Sequence, residues 1–187
     1  MAVDTDYSVA MSNGIASVTS FQTVTTAPTA MTALTSPWVD LGAISTDGLS
    51  ESSGEDRTDF RRWGSNSPFK TVVTSTTKTF QVTFLETNPN VLSLYYKRPV
   101  ATPDATSHII SLVDDTAGIQ DIRSFVFDIM DGANHFRFFL PKAEVTDRGD
   151  ITYATDSLTS YQMTVTAYPD DAGVAVARQY LLDAVTP

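Results

Sequence analysis

Three side chains near the middle of the chain have the types and spacing to hold a divalent cation: Asp128, Asp131 and His135, with Asp114 and Asp115 upstream. Carboxylates and an imidazole sharing a metal would polarise a bound water and make it a nucleophile near neutral pH. The same residues have a plainer reading. Asp131-Gly132 is a common hairpin-turn pair, and alternation turns Asp128 and Met130 away from the apolar face of Phe125, Phe127 and Ile129. His135 then opens the return strand. The plainer reading prevails, and no metal site is expected. The second histidine, His108, precedes Ile109-Ile110 and reads as a strand residue at an edge. No G-x-S-x-G elbow, Walker loop or dinucleotide fingerprint accompanies either histidine, so neither a nucleophilic triad nor a cofactor is expected.

A second constellation sits in residues 57–64, RTDFRRWG, where Arg57, Arg61 and Arg62 stand among Phe60 and Trp63. These are three of only 12 basic residues in a chain of formal net charge -10. An arginine-aromatic cluster can grip nucleic acid, clamp a phosphate or anchor another protein. The other basic residues, from Lys70 to Arg178, are scattered and form no stripe, and an acidic protein repels the phosphate backbone. That excludes a conventional duplex-binding protein.

The elements that must position these residues are mostly strands. At 187 residues the chain is long enough for one domain with a sizeable core, and 42% hydrophobic with 18% charged residues is a packed composition. There is no cysteine, which removes disulfides, thiolate metal sites and cysteine nucleophiles together. The opening MAVDTDYSVAM lacks a basic region followed by an apolar run, so no signal peptide is expected, and no membrane insertion. Residues 1–36 read as a Thr/Ser/Ala-rich arm with one possible strand around Val18 to Val24, and 37–187 as the main β domain.

Within that domain, Pro37–Leu41 alternates, and Asp47-Gly48 supplies a turn. Residues 50–68 are rich in Ser, Gly, Asp and Asn without a sustained period, which predicts a long loop. Residues 72–85 alternate clearly, with Phe80, Val82 and Phe84 opposite Gln81 and Thr83. Thr87 or Asn88 can cap a short helix begun by Pro89, with Leu92, Tyr95 and Tyr96 turned inward. Further strands are expected at His108–Val113, Arg123–Met130, His135–Leu140, Lys142–Thr146 and Tyr161–Tyr168. In the last of these Gln162, Thr164 and Thr166 oppose Met163, Val165 and Ala167. The tail from Ala172 fits helix or strand. The sum is a mainly β fold: an antiparallel β-sandwich or partly closed barrel with one short flanking α-helix. Its two Thr/Gln faces suit solvated sheet surfaces, and would equally suit the wall of a wet channel.

The order of these segments resembles the major tail protein, or tail tube protein, family of long-tailed bacteriophages. The resemblance rests on W-x-x-L-G-x-x-S-x-D-G (Trp38 to Gly48), W-G (Trp63, Gly64) and F-x-x-x-F-L-E-T-N (Phe80 to Asn88). P-K-A-x-V (Pro141 to Val145) and T-A-Y-P-D (Thr166 to Asp170) extend it, so that it spans about residues 38–170. It implies the tail-tube fold and homohexameric rings stacked into a hollow tube, through which the genome passes without specific binding. Tape measure, tail initiator and tail terminator proteins are the implied partners. The implied location is the virion tail, after synthesis in the host cytoplasm, and an appended immunoglobulin-like domain is not expected. The resemblance also makes 50–68 the segment that reaches the next ring, with Arg57, Phe60, Arg61, Arg62 and Trp63 as contacts. Gln81, Thr83, Asp128, Gln162, Thr164 and Thr166 are the expected lumen-facing residues. A tube subunit of a contractile tail or secretion apparatus shares the fold, and a β-sandwich ligand-binding module is the alternative from another class. A metal-dependent hydrolase comes last.

Overall fold

Alternation in the sequence becomes strand pairing over most of the chain. The computed structural model describes residues 13–19, 23–99, 106, 108–113 and 118–182. In chain order the elements are β1 (Asn13–Thr19), β2 (Trp38–Asp40), β3 (Ile44–Arg61), β4 (Pro68–Phe84) and α1 (Pro89–Tyr96). After these come β5 (Arg123–Asp131), β6 (Asn134–Arg148), β7 (Tyr161–Tyr168) and β8 (Ala177–Leu181). The strands pair in the order β2-β1-β5-β6-β7-β4-β3, with β8 on β6, and every pairing is antiparallel.

The long β6 is common to two layers. Along one edge it pairs with β5; along the other, His135–Phe139 pair with β8 and Lys142–Arg148 with β7. The sheet curls about this strand until its inner faces meet. Phe80 of β4 stacks on Phe127 of β5 with ring centroids 5.5 Å apart, although β6 and β7 lie between those strands in the sheet. Phe84, Val82, Phe125, Leu140, Met163 and Val165 complete a core that excludes water, the dominant favourable term in folding. The expected mainly β sandwich, partly closed, is what forms.

The helix begins where the sequence predicts. The Asn88 side chain accepts from the N–H groups of Asn90 (3.0 Å) and Val91 (2.9 Å), and its amide donates to the Leu41 carbonyl at 3.0 Å. Lys97, at φ 53, ends the helix in the left-handed conformation. We expect Asn88→Ala to lower unfolding stability by about 1 kcal/mol, measured by urea denaturation, because two helix donors lose their cap.

Several expectations are corrected. Residues 50–68 are not a loop: β3 runs through Arg61, β4 starts at Pro68, and only a short turn separates them. His108–Val113 form no strand: Ile109 and Val113 are exposed and Ile110 and Leu112 only half-buried, so the run gains no buried face. The helix buries Val91 and Leu94, while Leu92 and Tyr95 pack at the core's rim and Tyr96 is half-buried. The two strands expected on either side of Pro141 are one strand, β6, whose register with β5 shifts where proline removes a ladder donor. The first strand lies at 13–19, earlier than Val18 to Val24, and the tail contributes β8.

Candidate functional site

β4 keeps its β7 partner as far as Lys78, opposite Ala167; beyond that point it pairs with β3 alone, from Ser53↔Lys78 to Arg61↔Pro68. The result is a two-stranded arm reaching about 30 Å past the body at a strand rise of about 3.4 Å per residue. Residues 51–64 and 66–77 are all exposed. Strand pairing puts Phe60 and Val72 on one face of the arm and Phe69 and Val73 on the other, while Trp63 stands fully exposed at the tip. Some of the arm's charges are tied down locally. Arg57 pairs with Glu55 at 2.8 Å, Thr71 donates to Asp59 at 2.7 Å, and Ser75 donates to Asp56 at 2.7 Å. Arg61, Arg62 and Lys70 hold no ion pair among the described residues. The arm therefore ends in free guanidinium groups beside exposed aromatic rings. All five residues of the predicted contact cluster lie on it.

The predicted wall residues also come together, with one exception. Gln81 stands opposite Thr164 and Thr83 opposite Gln162, while Thr166 pairs with Thr79. The Thr166 hydroxyl lies 2.7 Å from that of Thr146 on β6, and Ser50 and Ser52 of β3 continue the surface. This is one hydroxyl-and-amide face on the outside of β3, β4 and β7, bordered on β6 by Glu144 opposite Thr166 and Asp147 opposite Thr164. Its strands turn Phe80, Val82, Met163 and Val165 into the core.

Asp128 is the exception. It is buried on β5, with its carboxylate gripped by Arg137 directly opposite on β6: Nε to Oδ1 is 2.6 Å and Nη2 to Oδ2 is 2.7 Å. Above this pair lies a strap formed by residues 23–37. Arg137 donates to the carbonyls of Ala30 and Thr32, the latter at 2.9 Å, and Gln179 donates to the Pro28 carbonyl at 2.7 Å. Ser124 accepts from the Val24 N–H at 2.6 Å, and Trp38 meets Phe139 edge-on. Asp128 is thus a neutralised anchor for the strap, not part of the polar face. Of the other candidate metal ligands, Asp131 is half-buried in the turn, His135 Nε2 lies 3.2 Å from Asp128 Oδ1, and Asp114 and Asp115 fall outside the described residues. An open cleft of about 250 Å³ along the strap is lined by residues such as Thr26, Leu34 and Trp38, with no charged or imidazole side chain. Arg137 was not among the expected site residues. Its signal was its position: Asp128 and Arg137 are equidistant from the Asp131–Asn134 turn.

The end of the protomer opposite the arm presents a loop with two exposed carboxylates, and Arg148 at the loop's root donates to the Tyr95 carbonyl at 2.7 Å. There Phe84 pairs with Tyr161 and Ile44, and residues 149–160 connect β6 to β7. Asp150, Tyr153, Asp156 and Leu158 are exposed on that loop, which contains no lysine or arginine. The loop is held from beneath: Tyr95 donates to the Gly149 carbonyl at 2.6 Å, and Gly149 N–H donates to the Gln162 carbonyl at 3.0 Å. Burial pushes the Tyr95 phenol above its ordinary pKa, so it stays a donor across the neutral range. Among the described residues no helix is long and apolar enough to cross a membrane.

Two solved structures resemble the chain in fold over nearly its whole length. One is the baseplate of the anti-feeding prophage, with TM-score 0.47 and 12% identity over 96% of this chain and 97% of that one. The other is the sheath-tube complex of an extracellular contractile injection system, with TM-score 0.41 and 8% identity over 95% and 96%. No curated protein sequence matches. The family model described as phage tail tube protein matches residues 1–186. The chain therefore belongs to the phage tail tube protein family and is a structural subunit of a tail tube.

Proposed function

We propose that six copies of this chain close into a ring and that rings stack into a hollow conduit for genome delivery into the host. The observation that carries the stacking is the arm. It has solvent on both faces and, among the described residues, five exposed apolar side chains: Phe60, Trp63, Phe69, Val72 and Val73. An isolated two-stranded ribbon is marginal in water and gains stability by docking. The arm, with Arg57, Phe60, Arg61, Arg62 and Trp63, reaches from one ring to the next. Tail initiator, terminator and tape measure proteins are the partners such a tube needs at its ends and along its bore. Subunits are made in the host cytoplasm and end in the virion tail. Negative-stain microscopy of purified protein, alone and with an initiator complex, should show hollow tubes with six-fold end views. Protein that remains monomeric in both preparations would refute the reading.

The polar face of Gln81, Thr83, Gln162, Thr164 and Thr166 lines the bore. A genome must slide through, and duplex DNA carries about one negative charge per 1.7 Å of axis, so a basic wall would hold it through many phosphate contacts. A hydrated wall of hydroxyls and amides, bordered by carboxylates in an acidic protein, does not. Assembled tubes should bind no duplex DNA. Gln81→Lys with Gln162→Lys should introduce binding that weakens steeply with salt, measured by co-sedimentation. Tubes of the original sequence that bind DNA tightly, or the double variant binding none, would move the bore to another face.

A further inference from the structure

The arm and the 149–160 loop leave the protomer at opposite ends of the same strands. From Phe84, beside the loop, to Pro68, at the arm's end, β4 spans roughly 50 Å. One end carries Arg61, Arg62 and Trp63; the other carries Asp150, Asp156, Tyr153 and Leu158, all exposed. We infer that the 149–160 loop of one subunit is the surface that receives the arm tip of a subunit in the next ring, an inference that rests on the stacked-ring reading above.

The occupant is a second copy of this chain for two reasons. An open-ended stack requires two different surfaces at opposite ends that fit one another, the head-to-tail case of subunit association. Here the arm tip, with Arg61 and Arg62, and the loop, with Asp150 and Asp156 and no basic residue of its own, are complementary in charge. The Arg148 guanidinium at the loop's root is turned onto Tyr95. Guanidinium groups take carboxylates in bidentate geometry, and an exposed indole gains from an aromatic and an aliphatic partner. The root of the receiving loop is also fixed to the body of the fold. Tyr95 and Gln162 hold Gly149, and Ile151 packs against the core.

Charge reversal tests this, because every substituted position is exposed and the fold does not depend on it. Arg61→Asp with Arg62→Asp, and separately Asp150→Arg with Asp156→Arg, should each lower the sedimentable tube fraction about tenfold or more, since opposed like charges disfavour docking. All four substitutions in one chain should restore most of the tubes, because the reversed ends again match. Circular dichroism and melting temperature should be unchanged throughout. Normal tubes from the Asp150→Arg/Asp156→Arg variant, or a fourfold variant no better than either pair, would overturn the inference. If only the arginine pair blocks growth, the arm still stacks rings but docks elsewhere. If neither pair does, the stacking role of the arm falls as well.

Discussion

Tubes should fail to elongate when Arg61→Glu is combined with Trp63→Ala, while the subunit keeps its fold and melting temperature. Trp63 is fully exposed and Arg61 holds no ion pair among the described residues, so neither side chain contributes to the stability of the free protomer. Their contribution would come on docking, where buried tryptophan and arginine anchors are each worth about 2 kcal/mol or more. In the proposed ring every arm docks at once, so the loss would recur at each subunit and the effect on the assembly would be far larger than on one contact. Microscopy and sedimentation should find unstacked rings in place of tubes. Tubes of normal length and yield would remove the arm tip from the stacking interface.

Arg137→Met should have the largest effect on the isolated subunit. It leaves the Asp128 carboxylate buried without its guanidinium, and takes from the Ala30 and Thr32 carbonyls the donor that pins the strap. Breaking a buried ion pair by deleting one partner typically costs about 3–5 kcal/mol, because the surviving charge stays desolvated. Denaturant unfolding should show that loss. Adding Asp128→Leu should recover a good part of it, since two apolar side chains are less costly there than one orphaned carboxylate. A stability change below about 1 kcal/mol for Arg137→Met would mean the pair is solvated and the strap is held by other contacts.

The parts of this fold that were legible from sequence are those with one wet face and one dry one. The inner half of β4 and the strand β7 alternate because Phe80 or Met163 must face the core while Gln81 or Thr164 does not. The β5–β6 hairpin, whose first strand is buried on both faces, was marked instead by its Asp131-Gly132 turn. The arm escaped because β3 beyond Leu49 is wet on both faces. Ser, Glu, Asp and Gly then follow one another with no period, and the strand exists only through its ladder with β4. The reverse error occurred at His108–Val113, where apolar residues suggest a strand that the fold leaves exposed. The polar face was legible as two separate stripes, and only the β4–β7 register shows that they join. The strap's attachment was beyond sequence altogether, since Arg137 grips backbone carbonyls, which carry no residue identity.

β3 closes one side of the sheet, and its outer row of N–H and C=O groups is a template on which any extended chain could add. Five carboxylates lie along it, on Asp47, Glu51, Glu55, Asp56 and Asp59, and its ladder with β4 is interrupted three times, between Ile44/Leu49, Asp56/Arg57 and Phe60/Arg61. With only Arg57 and Arg61 to set against them, two newly made copies that meet edge to edge present the same net negative charge, and the interruptions spoil the match. Colloidal stability of the unassembled pool follows from this, and so does its weak point. Acid that protonates the carboxylates, or salt that screens them, removes the repulsion and leaves the backbone template in place, so disordered precipitation should set in under conditions that leave the fold itself intact.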